Sequence, residues 1–125
     1  MRKPKLTQYK DYETRVVFEV MASYQVQVIF TNDLFKSATR LGSKPSEEAD
    51  AFCFNVKGER RSYIFLKLNA PESVVAHECW HIVHQVMAYC GVVDMDSEIV
   101  AYHLGHLVEK VYDFKKAIRA GKAKK

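Results

Sequence analysis

The chain has 125 residues, 48% of them hydrophobic and 27% charged. That suits one globular domain with a real core, too small for a deep two-lobed cleft. No apolar run approaches the roughly 18 residues a membrane span needs, and the basic start Met1-Arg2-Lys3-Pro4-Lys5 lacks the apolar stretch of a secretion signal. The net charge of +4 is modest, and the three cysteines, Cys53, Cys79 and Cys90, cannot all pair within one chain and form no CxxC motif. A reduced cytoplasm is the expected setting.

Along the chain, Val16 to Val20 is apolar and ambiguous between helix and strand. Tyr24, Val26, Val28 and Phe30 then alternate with Gln25 and Gln27, the period-2 pattern of a half-buried strand. Asn32-Asp33 ends it and caps a short helix through Leu41, stopped by Gly42. Ser43 to Glu48 reads as a polar loop. Two apolar runs, Ala51 to Val56 and Ser62 to Leu68, flank Lys57-Gly58-Glu59-Arg60-Arg61 and read as a β-hairpin. Phe52, Phe54 and Val56 share one face of the first run; Ile64, Leu66 and Leu68 share one face of the second.

Asn69-Ala70-Pro71-Glu72-Ser73 opens a helix that Gly91 ends. Asp94-Met95-Asp96-Ser97 supplies N-cap candidates for a second long helix from about Ser97 to Lys116. Strands precede helices, which argues an α+β fold. The expected architecture is a small antiparallel sheet of about three strands, packed on the two helices. Lys115, Lys116, Arg119, Lys122, Lys124 and Lys125 read as a basic tail from about residue 115. Such a tail suits nucleic acid or an acidic partner, but a solvated, frayed terminus is the favoured reading.

The first long helix carries the chemistry. His77-Glu78-Cys79-Trp80-His81 is an HExxH motif, and histidines at i and i+4 lie one turn apart on one helix face, where both imidazoles can hold one metal ion. Glu78 can serve a metal-activated water as general base. It is the only charged residue between Val74 and Met87, histidines aside, and an ionised carboxylate in so apolar a helix needs a partner. The plainer alternative is a buried helix whose histidines bond to their neighbours.

A catalytic zinc usually takes three protein ligands and a water. Asp94, Asp96, Glu98, His103 and His106 lie downstream, while His84 shares the motif's own helix, which cannot easily aim three ligands at one ion. Glu98 is preferred: it falls in the first turn of the second helix, and small Ala101 and Gly105 on its face allow close packing against the motif helix. Otherwise Glu98 merely complements the helix N-terminus.

An HExxH helix, a short linker and a helix-borne glutamate resemble the gluzincin zinc metallopeptidases, and most of all the minigluzincins, over roughly Tyr24 to Phe114. His77 to His81 is the specific part of the likeness; Ser97-Glu98-Ile99-Val100-Ala101-Tyr102 is a weaker match. The resemblance implies that His77, His81 and Glu98 hold Zn²⁺, that Glu78 activates the water, and that an extended peptide substrate binds along the strand Ser62 to Leu68 by β-augmentation. Larger gluzincins carry a C-terminal Tyr or His that stabilises the oxyanion; Tyr102 is the expected counterpart, with His103, His106 and Tyr112 as alternatives. The competing reading is a non-catalytic metal-binding module that grips a protein or nucleic acid.

Overall fold

The computed structural model describes residues 5–10, 13–20, 23–43, 51–55, 58–91 and 98–121. Within them the chain forms β1 (Lys5–Lys10), β2 (Glu13–Glu19), β3 (Gln25–Thr31), α1 (Leu34–Arg40), β4 (Ala51–Asn55), β5 (Arg61–Leu66), α2 (Glu72–Tyr89) and α3 (Glu98–Arg119). The fold is α+β. The sheet has five strands in the order β1-β2-β3-β5-β4, more than the sequence pattern suggested. It is also mixed, because β3 and β5 pair in parallel while every other pair is antiparallel.

Two local facts account for the difference. The ambiguous run after Glu13 is β2, whose Val16 and Phe18 point to the core opposite Val28 and Val26. β1, Lys-Leu-Thr-Gln-Tyr-Lys, has too few apolar residues to show a period, and it is a strand because β2 offers it a backbone ladder.

The sheet buries both faces. On one side Val16, Phe18, Val26, Val28, Phe30, Ile64 and Leu66 meet Val75, Cys79, Ile82, Val83 and Val86 of α2. On the other, Ile29, Tyr63 and Phe65 meet Leu34 and Ala38 of α1, with Phe52 and Phe54 packed alongside. Phe52 pairs with Phe65 and Phe54 with Tyr63, so the phenylalanines of β4 face α1, away from Ile64 and Leu66.

α1 starts where the sequence says it should. The Asp33 carboxylate accepts from the Lys36 backbone N–H at 3.0 Å, and Gly42 beyond its end has φ +88°, a left-handed conformation that glycine adopts without strain. Buried Glu13 accepts from Arg40 of α1 and from Arg15 beside it, tying the helix to the sheet.

α2 runs between Pro71 and Gly91 as expected, with Gly91 at φ +78°. α3 packs against it in the opposite direction. Leu107 shares a cleft with Ile82 and Val86, and the Lys115 amine donates to the Ala70 carbonyl at 2.7 Å, next to the start of α2. Phe114 meets Phe18, ring centroids 5.4 Å apart. Helix thus extends past residue 115, where the basic tail was placed, and Lys115 is only 5% exposed. Its aliphatic stem packs in the core while its head finds a carbonyl. Arg119 likewise donates to the Leu68 carbonyl at 3.3 Å; Lys122, Lys124 and Lys125 lie outside the described residues. Among the described residues no helix is long and apolar enough to cross a membrane.

Candidate metal centre

The apolar stripe of α2 turns Val75, Cys79, Ile82, Val83, Val86 and Met87 into the core, which leaves His77 and His81 on the remaining faces. His77 and His81 are both exposed. Their Nε2 atoms face each other at 3.1 Å, with ring centroids 4.8 Å apart and planes 78° apart. Zinc–imidazole bonds of about 2.0–2.1 Å place two nitrogens on a tetrahedral ion about 3.3–3.4 Å apart. The pair therefore stands within a few tenths of an ångström of ligand spacing, presenting the same atom of each ring. Without metal one Nε2 must donate to the other, which forces different tautomers on two otherwise similar rings. This donor set fits a zinc ion.

Glu78 lies one residue from His77 but points sideways, 8% exposed, toward the edge of the sheet. There it meets Cys53 of β4. Burial, then a hydrogen bond to Glu78 and the Glu78 charge, push the Cys53 thiol well above its ordinary range, so it stays a neutral donor to the carboxylate. Burial, and then the Glu78 charge, push Cys79 up to about 12. Glu78 and His81, with Gln85 one turn on, line one wall of an open groove; Ala51, Phe52 and Cys53 form the other. At about 260 Å³ this groove has room for a stretch of extended peptide. A second cleft, between α2 and α3 and lined by Phe18, Val86, His103 and Leu107, is apolar and only about 20 Å³, too small for a substrate.

The groove runs beside β4. The strand expected to receive a peptide, Ser62 to Leu68, is instead interior, because β3 occupies one side of β5 and β4 the other. β4 is the terminal strand.

Among the described residues, the structure does not bring the downstream candidates to the histidines. Glu98 is exposed at the start of α3. It stands nine residues, about 13 Å of helical rise, from Leu107, which is already level with Ile82 and Val86. The antiparallel packing carries Glu98 toward the far end of α2, away from His77 and His81. Tyr102 is 72% exposed and stacks on His106 rather than over the groove. His103 and His106 line the apolar cleft. His84 lies against Trp80, ring centroids 4.0 Å apart, and its buried Nε2 has no partner among the described residues. The Tyr112 hydroxyl is similarly unpartnered, and burial together with the charge of Glu72 pushes it up. Among the described residues no three His, Cys, Asp or Glu side chains gather as a metal site; Asp94 and Asp96 lie outside them. No protein-family model, curated protein or solved structure matches the chain.

Sequence reasoning missed Cys53 and Gln85. Gln85 carried a signal, as a polar residue, next to His84, in the apolar stretch after His81, on the helix face of Glu78 and His81. Cys53 carried none, since only the hairpin's docking on α2 brings it to Glu78.

Proposed function

We propose that this protein is a zinc-dependent metallopeptidase of the cytoplasm, with Glu78 as general base. The observation that carries the reading is the Nε2 pair of His77 and His81 at 3.1 Å, beside a buried Glu78, on a groove flanked by the terminal strand β4. The three cysteines are unpaired, which suits a reducing compartment.

His77 and His81 would hold Zn²⁺ through Nε2. A zinc ion held there would supply Lewis acidity, lowering the pKa of a bound water toward neutrality and polarising a carbonyl. Glu78 takes the proton of the attacking water and passes it to the leaving amine. Its burial beside Cys53 fixes the carboxylate in place, and the backbone of β4 offers an extended peptide the hydrogen bonds of a further strand. Glu98 as third ligand and Tyr102 as the donor to the developing oxyanion rest on the sequence pattern; to serve, both must approach the histidines by a shift of α3.

Elemental analysis of purified protein is expected to give about one zinc per chain, lost or weakened in Glu98→Ala. Glu78→Gln is expected to keep the metal and to lower kcat about 10²–10⁴-fold, the usual share of a general base. Full hydrolysis by Glu78→Gln would refute the mechanism, and protein that takes up no zinc would refute the metallopeptidase reading.

One observation favours a second reading: only two ligands meet among the described residues. A metal-binding module that grips a protein partner along β4 without turnover fits that fact. Zinc binding with no peptide hydrolysis would select it. Its nucleic-acid version is weakened, because Lys115 and Arg119 are engaged with backbone carbonyls of the domain.

A further inference from the structure

The groove contains a polar group that the chemistry above does not use. Glu78, His81 and Gln85 form one stripe on α2 beside β4. Gln85 is held there by a buried relay: Ser62 Oγ donates to Gln85 Oε1 at 2.6 Å, and the Tyr24 hydroxyl lies 2.5 Å from the same Ser62 oxygen. Ser62 and Tyr24 are both fully buried. The protons can be assigned by counting. A carbonyl oxygen only accepts, so Ser62 gives its single proton to Gln85, and Tyr24 must give its own to Ser62. Burial, opposed by the bonds to Ser62 and Asn55, keeps the Tyr24 phenol protonated above its ordinary range. With Oε1 committed inward, Gln85 turns its Nε2, with two protons, to the groove, where no described residue accepts from it.

We propose that Gln85 is a substrate-binding residue, a preset amide donor to the main-chain carbonyl two residues away from the scissile bond of a peptide extended along β4. The inference rests on the peptidase reading. Its geometric basis is a match of repeats. In an extended chain, carbonyls on the same edge recur about every 6.7 Å. The turn of α2 from His81 to Gln85 advances about 6 Å. The two elements also run alongside one another: Cys53 lies against Glu78, and Ser62, the pairing partner of Asn55, lies against Gln85. A carbonyl placed beside His81, the histidine that lines the groove, would therefore put the next one on that edge close to Gln85 Nε2. A donor prepositioned by buried hydroxyls loses little rotamer freedom on binding, so the bond adds affinity without selecting side chains. The substrate class is accordingly main-chain-recognised extended peptide.

The test uses zinc-loaded full-length protein and a mixture of end-blocked octapeptides, with cleavage read by mass spectrometry. For the best-cleaved peptide, Gln85→Met is expected to raise KM about two- to tenfold, the worth of one net hydrogen bond, with kcat within about twofold. Ser62→Ala, which frees the amide without removing it, is expected to raise KM less. Replacing the carbonyl two residues from the cleaved bond by methylene should cost the wild type the same factor and Gln85→Met nothing further. Independent losses in peptide and protein, or an unchanged KM, would overturn the assignment. If wild type cleaves none of the peptides, the peptidase reading fails by itself. The Gln85 side-chain amide resonance, followed by NMR as the same mixture is added, then decides: movement keeps Gln85 as a peptide donor, and a fixed resonance overturns it.

Discussion

Glu13→Gln isolates the tie between α1 and the sheet. Glu13 is 2% exposed and takes bonds from Arg40 across the face and from Arg15 at 2.8 Å, with Ser37 alongside. The variant keeps the shape, removes the charge, and turns one acceptor oxygen into an amide NH2 donor facing two guanidinium groups. Charge-assisted bonds are worth about 1.5–3 kcal/mol each. Both arginine side chains keep partial exposure, 18% and 28%, so they rehydrate, and the loss stays below the sum, at about 2–3 kcal/mol. At about 2.1 cal/mol/K per residue, a chain of this size then melts about 10 °C lower.

The pH dependence has a definite sign. Burial raises the Glu13 pKa, but the bonds from Arg40, Ser37 and Arg15 outweigh it, and the net shift is below the ordinary 4.5. Glu13 thus contributes stability that is present above about pH 4.5 and disappears as pH falls through the lower folded-state value. Urea unfolding at pH 7, 5 and 3.5 should show a gap between wild type and variant that narrows on acidification. A gap below about 0.5 kcal/mol at pH 7, or one that does not change with pH, would refute this account. Zinc content should be unaffected, because Glu13 faces α1 and not the groove.

If zinc binds at His77 and His81, thermal melts should be concentration-dependent: at a free zinc level 100 times Kd the protein gains about 2.7 kcal/mol, and EDTA or His77→Ala should remove that gain. Lys115→Met should destabilise by about 1–2 kcal/mol in denaturant titrations, having lost the bond to Ala70. Burial and the Arg119 charge lower the Lys115 pKa below 10.5, so wild type, unlike the variant, should gain stability as pH rises from that lowered value toward 10.5. Thiol labelling at pH 8 should leave Cys79, fully buried and pushed up to about 12, unmodified until the protein unfolds; rapid native labelling there would contradict the packing of α2.

What the sequence could reveal was what local chemistry decides. Pro71 and Gly91 bracket α2, Asp33 and Gly42 bracket α1, and the spacing of His77 and His81 fixes their shared face. β1 was illegible because its sequence, Lys-Leu-Thr-Gln-Tyr-Lys, holds too few apolar residues to show a period. The identity of the terminal strand was hidden too, since it depends on β3 choosing β5 as its partner. The position of Glu98 follows from how α3 slides along α2. That sliding is set by Phe18 against Phe114 and Lys115 against Ala70, contacts between residues far apart in the chain. The relay from Tyr24 through Ser62 to Gln85 is non-local for the same reason.

The parallel seam between β3 and β5 also shapes how the chain reaches this structure. The meander β1-β2-β3 and the hairpin β4-β5 join neighbours in sequence, and such local contacts close quickly. The seam sets Val28 beside Ile64, and closing it restrains the long stretch of chain between them, which carries α1 and β4, before the pairing itself offsets the loss of entropy. The apolar platform that receives α2 straddles this seam, with Val28 and Phe30 on one side and Ile64 and Leu66 on the other. The platform beneath the histidines is complete only when these two pieces have met, so assembly of the candidate site depends on the non-local pairing of β3 with β5.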